Sequence, residues 1–351
     1  MHDVILRTVL ALLSGWIGGA IFSMLSLPLP WTLGSLTVAA ILSLFGVRWT
    51  LPKLFRNFTR PIVGVVAGSA FTLPVVLSII ERWAVLPILL LFTITVTLLG
   101  WLFFRRVCRM DNMTSIFAST PGGLSELTLL GDQFGANLRV LVLVHSARVI
   151  AVVLTVPFIM QLIADPTGAP VGAAAAAVRP SWMSPGDAAL LTMCGVLGYL
   201  VGRYFDRMGG VLIASLAFSA IVHGSGLTEA APPHWLVVLI QVIIGSISGS
   251  RFAGVTAREI RSTVVLGFGW AAIMLATAFL FAALAAEFVD APLAALVLAF
   301  APGGFPEMTV VAYSIGIEVG FVVTCHALRI ICVFILATSL ASLLPRPPDQ
   351  A

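Results

Sequence analysis

Two glutamates, two histidines and two arginines stand in matched sets. Glu126, His145 and Arg148 recur as Glu307, His326 and Arg329, each displaced by 181 residues, and each set follows a Pro-Gly-Gly, Pro121 to Gly123 and Pro302 to Gly304. A carboxylate inside a membrane is costly and marks a place where a proton or cation is taken up. A guanidinium grips anions with a fork of donors, and an imidazole, with an unperturbed pKa of about 6.5, relays protons close to neutrality. Residues three apart share a helix face, so each His lies beside its Arg. A helix restarting after Gly123 or Gly304 turns its free amides and positive end toward the break. The candidate binding set is therefore Gly122, Gly123, Glu126, His145, Arg148, Gly303, Gly304, Glu307, His326 and Arg329.

Plainer readings of the same residues exist. Pro-Gly-Gly also makes a tight surface loop between two short spans. Glu126 with Arg148, and Glu307 with Arg329, also make buried ion pairs that hold a broken helix, leaving each His to bond a neighbouring carbonyl. A metal centre built from two Glu and two His is chemically distinct from both. It lacks the ExxH or HExxH spacing, and a guanidinium three residues from each His would repel a cation. No metal, cofactor or catalytic residue is expected.

What must position these residues follows from composition. Of 351 residues 60% are hydrophobic and 10% charged, against about 25% charged in soluble domains, and the mean hydropathy is +1.09. A soluble enzyme or DNA-binding regulator is excluded. So is a membrane β-barrel, whose strands alternate in polarity. A pI of about 9.2 does not argue for nucleic acid, because the basic residues cluster in short loops between apolar runs. Cys108, Cys194, Cys325 and Cys332 form no CxxC pair and read as small apolar residues.

Apolar runs near 4–27, 31–46, 61–80, 84–107 and 138–164 form one set, and 187–203, 209–222, 234–250, 261–287 and 320–343 a second. The first run is too long for a signal peptide and is expected to be retained. Stretches 111–134 and 292–315 carry the Pro-Gly-Gly breaks. About ten residues on either side make some 15 Å of helix, half of the ~30 Å hydrocarbon core, so each break falls near mid-membrane. Residues 165–186 have the Pro, Gly and Ala content of a linker. The chain thus divides into a first membrane repeat (1–164), the linker, a second repeat (187–345) and a tail (346–351).

The two sets are copies. Over 121–148, 9 of 28 positions match their counterparts, and these include every ionisable match. Gly64 and Gly68 meet Gly245 and Gly249 at the same offset, a spacing that permits close helix packing. Positive loops follow the second and fourth runs of the first copy but the first and third of the second, so equivalent loops face opposite sides. With both termini in the cytoplasm, 15 of 19 Lys and Arg lie inside, Arg82 and Arg179 outside, and Arg148 and Arg329 in the membrane. The expected fold is an all-α polytopic membrane protein of two inverted repeats. Each repeat has about five crossings and one Pro-Gly-Gly-broken re-entrant helix pair, multi-pass in a bacterial inner membrane.

PGGLSE at 121–126, APGGFPEM at 301–308, the His-x-x-Arg closing each copy, and GWIGGAIF…LPLPWTLG at 15–34 resemble the duplicated membrane domain of the AbrB-type membrane protein family. The resemblance covers nearly the whole chain; in the second copy Gly209-Gly210 stands where Pro-Leu-Pro would be expected. Family labels of ammonia monooxygenase and of regulator imply redox chemistry or gene regulation, and no dinucleotide fingerprint supports the first. In plan the chain also resembles sodium/proton antiporters and bile-acid symporters, a likeness of fold alone. The leading expectation is a secondary transporter of a small polar or anionic solute, coupled to a proton or cation through Glu126 and Glu307. A membrane-embedded sensor or regulator of gene expression acting through a separate partner is the second, and a metal-dependent monooxygenase the third. Membrane lipid and a small-molecule or ion substrate are the expected partners, without nucleic acid; a homo-oligomer stays open.

Overall fold

A computed structural model describes residues 2–27, 29–47, 52–164, 183–208, 210–256, 259 and 263–343. Most of the expected linker and all of the expected tail lie outside these residues, as does Pro28 of the opening motif. Among the described residues the chain is helical, with no strand. The first copy gives α1 (His2–Met24), α2 (Pro30–Leu44), α3 (Lys53–Gly68), α4 (Leu73–Glu81), α5 (Val85–Arg106), α6 (Asn112–Ser119), α7 (Leu124–Gln133) and α8 (Leu138–Ala164). The second gives α9 (Pro185–Gly202), a 3₁₀ turn (Arg203–Met208), α10 (Gly210–Gly224), α11 (His234–Ser250), α12 (Val265–Ala286), α13 (Leu293–Phe300), α14 (Phe305–Ile315) and α15 (Val319–Leu343).

Among the described residues six helices, α1, α5, α8, α9, α12 and α15, are long and apolar enough to cross a membrane, and α2, α10 and α11 are shorter apolar helices. In lipid every backbone polar group must be satisfied within the protein, which a helix does by itself. Side-chain hydroxyls in these helices bond back one turn, as Thr93 does to the Leu89 carbonyl and Thr97 to that of Thr93, both at 2.8 Å.

Helix boundaries repeat along with the sequence. Asn112–Ser119 and Leu293–Phe300 are 181 residues apart at both ends, and Pro30–Leu44 and Gly210–Gly224 are 180 apart. The apolar run 61–80 differs from expectation, because it is two helices, α3 and α4, separated at Ser69 to Thr72. Pro74, having no N–H, fits the first turn of a new helix and not the middle of an old one.

The helices sort into two compact units that draw on both copies: Met1–Glu81, Leu154–Gly254 and Pro306–Val323 in the first, and Arg82–Val153, Val255–Phe305 and Thr324–Ala351 in the second. In the first unit α2 packs on α1 and α10 on α9, each within its own copy. The third helices then exchange partners: α11 packs on α2, and α3 on α10. The glycines read as packing devices make these crossings. A Cβ on Gly64 would lie 2.5 Å from the Leu212 carbonyl oxygen and 2.7 Å from Ser215 Cβ. One on Gly245 would lie 2.6 Å from the Thr32 carbonyl oxygen and would overlap Ser35. Ser35 and Ser215 are themselves equivalent positions, so one contact is made twice, in opposite senses.

In the second unit α5 packs on α6, α12 on α13, and α5 on α12. Phe92, Phe281 and Phe300 meet edge to face, with centroids 5.5 and 5.3 Å from Phe92. Trp270 stacks on Phe103 beside Gly100, where a Cβ would strike the indole.

Candidate functional site

The breaks originate in proline. A residue preceding proline is driven out of the helical region, and Thr120 (ψ 131) and Ala301 (ψ 130) are both extended. Each ends a half-helix of eight residues and strands its last carbonyls without intrahelical donors. At the other end of α6, Asp111 accepts from the Thr114 amide at 2.8 Å.

The paired arginines supply the missing donors. Arg148, wholly buried on α8, donates from Nη1 to the Thr120 carbonyl at 3.0 Å and from Nη2 to the Gly122 carbonyl at 2.5 Å. Arg329, equally buried on α15, donates from Nη1 to the Ala301 carbonyl at 2.7 Å and from Nη2 to the Gly303 carbonyl at 3.3 Å. The acceptors are equivalent residues of the two copies. Cations at helix C-termini are also favoured by the helix dipole. The two guanidiniums lie within electrostatic reach of one another in the second unit.

His326 is fixed on both sides. Its Nε2–H donates to the Leu298 carbonyl at 2.9 Å, and its Nδ1 accepts from Arg329 Nη2 at 2.6 Å. The ring is neutral in this arrangement, since a proton on Nδ1 would face the guanidinium. The plain reading of this residue, a histidine bonded to a neighbouring carbonyl, holds. His145 is wholly buried.

Pro121 and Gly122, and Ala301 through Phe305, are buried, so Pro-Gly-Gly is not a surface loop. Gly123 is half-buried, and Gly303 and Gly304 are buried. A Cβ on Gly122 would come within 2.8 Å of Val333 on α15. Glu307 sits in the first turn of α14 and is 9% exposed, within the first unit. Glu126 occupies the equivalent turn of α7, but its side chain lies outside the described residues. Among the described residues no three His, Cys, Asp or Glu side chains come together.

The copies differ before the break. α6 carries Ser115, Ser119 and Thr120 where α13 and its cap have Leu296, Phe300 and Ala301. Ser119 and Thr120 both bond the Ile116 carbonyl, while the buried Ser115 hydroxyl has no partner among the described residues. The backbone acceptors Thr120, Ala301 and Leu298 escaped the sequence reading. The only signal for the first two was their place before a proline.

Six long apolar helices and two buried, arginine-capped interruptions define an all-α polytopic membrane protein of the broken-helix kind. The family described as "Transition state regulatory protein AbrB" matches residues 31–345, and the chain belongs to this AbrB family. It is 27% identical to "Uncharacterized protein YhjN" of Bacillus subtilis (strain 168) over 91% of this chain and 88% of that protein. It is 22% identical to "Putative regulator AbrB" of Escherichia coli (strain K12), over 91% of each. Neither name states a substrate or a reaction.

Proposed function

We propose that the chain is a secondary transporter of a small anionic or polar solute, working by alternating access around its two broken helices. One observation carries this reading: two wholly buried guanidiniums, in reach of one another, sit at equivalent breaks. The carbonyls that accept from them fix the direction of each guanidinium fork. A guanidinium fork held at low dielectric suits an anionic group. The amide end of α7 adds to that preference. Glu126 and Glu307 are the places for a coupling proton or cation. His326, with both ring nitrogens engaged, orients Arg329 rather than carrying a proton. The reading places the chain multi-pass in a bacterial inner membrane as inverted repeats, both termini in the cytoplasm, with lipid and a small solute as its partners. No bond-making or bond-breaking step is assigned to it.

The test begins with thermal stability of the purified protein against organic anions, amino acids, ammonium and sodium. A ligand at 100 times its Kd stabilises by about 2.7 kcal/mol. Protection by one class of anion is expected, followed by uptake of that anion into sealed proteoliposomes. Uptake should fall at least roughly tenfold in the Glu126→Gln/Glu307→Gln variant while binding persists. Coupled uptake that survives the double substitution would refute the role given to the carboxylates. Binding without flux would favour a sensor acting through a partner, the reading that the name of the Escherichia coli relative supports.

A further inference from the structure

In the first compact unit a chain of hydrogen bonds runs from the start of α9 to the last turn of α3, with one titratable ring at its centre. The Asp187 carboxylate accepts from the Ser184 hydroxyl at 2.6 Å and from the Thr228 hydroxyl at 2.7 Å. Thr228 Oγ1 accepts from the Ala230 amide at 3.0 Å. The Ala230 carbonyl meets His223 Nε2 at 2.9 Å, and His223 Nδ1 meets the Ser219 carbonyl at 2.7 Å. The Ser219 hydroxyl then donates to the Val65 carbonyl at 3.0 Å. His223 is 5% exposed, in the last turn of α10.

The partners of the ring bear on its state. A carbonyl oxygen only accepts. The one hydroxyl proton of Ser219 goes to Val65, so its oxygen, 3.3 Å from Nδ1, also only accepts. Every partner of both ring nitrogens is therefore an acceptor, and only the imidazolium has two N–H groups. The carboxylates nearest the turn are Asp187, bonded to Thr228, and Glu229, next to the bonded Ala230. At this level α3 presents the Val65 carbonyl, and the residues before α4 present the Phe71 carbonyl beside Gly224; neither is charged. His234, the other imidazole near the turn, is exposed.

We propose that His223 is a proton-closed clasp, a pH-sensitive regulatory device outside the broken-helix site, which ties the turn between α10 and α11 to α10 and α3. The geometry states what deprotonation severs. With the remaining proton on Nδ1, a lone pair on Nε2 faces the Ala230 carbonyl and the turn is released. With it on Nε2, Nδ1 must recruit the Ser219 hydroxyl proton, and Val65 is released. Either way one link is lost. The closed form binds a proton that the open form gives up, so falling pH closes the clasp and rising pH opens it.

Hydrogen–deuterium exchange of the full-length protein in detergent, corrected for the intrinsic pH dependence of exchange, tests this. Amides of 225–231 are expected to be roughly tenfold better protected at about pH 5.5 than at about pH 8, a range that spans histidine titration. The difference should vanish in His223→Gln. Equal protection at both pH values in the wild type, or a difference that persists in His223→Gln, overturns the clasp. Should His223→Gln fail to fold, the wild-type comparison decides alone.

Discussion

Arg148 and Arg329 complete the hydrogen bonding of backbone that proline has interrupted. Truncating either strands two buried carbonyls, each costing roughly 1–3 kcal/mol. Arg148→Met and Arg329→Met are therefore expected to lower stability by about 2–6 kcal/mol in detergent melting. Lysine should restore only part of this, since an ammonium cannot serve two acceptors in the fixed fork of a guanidinium. If the methionine variants melt like the wild type, the arginines are not what holds the breaks. The sequence made these side chains visible because duplication marked them: an ionisable residue that recurs 181 positions later inside an apolar run is hard to mistake for chance. It could not show their acceptors. Thr120 and Ala301 differ in identity and act through carbonyls, which every residue type shares. Nor could it show that His326 turns one nitrogen to Leu298 and the other to Arg329, since that depends on where α15 lies against the end of α13.

Prolines and glycines did most to make the helices legible. Pro121 and Pro302 marked where half-helices stop, and the stops fall one residue before each, at Thr120 and Ala301. The break between α3 and α4 was missed because residues 61–80 carry no charge, and an uncharged, mostly apolar run conceals a proline that opens a new helix. The meaning of Gly64 and Gly245 was legible as close packing, but their partners, α10 and α2, were not, since sequence spacing says nothing about which helix arrives. Overpacking these crossings costs typically about 1–3 kcal/mol. Gly64→Val and Gly245→Val should each lose at least that much and shift melting downward alike. Gly269 in α12 is the control: no atom lies within 4 Å of a Cβ built there. Gly269→Ala should leave stability unchanged or raise it by up to about 1 kcal/mol, because alanine is the better helix former.

Arg109 and Asp290 occupy equivalent positions, just beyond α5 and α12, and both are exposed. If the copies are inverted, cysteines placed singly at these two positions in a cysteine-free background should react with a membrane-impermeant thiol reagent from opposite faces of the membrane. Labelling from the same face would refute the inversion. The exchange of partners between the copies also bears on how the chain is made. α2 and α3 reach their mates only when α11 and α10 have been synthesised, roughly 150 to 200 residues later, which at 5–20 residues per second is on the order of ten seconds or more. Until then Gly64 and Gly68 of α3 are without the α10 contacts they serve. Biogenesis of this protein therefore includes a waiting period, and a transcript truncated after the first copy would yield a product with nothing to close upon.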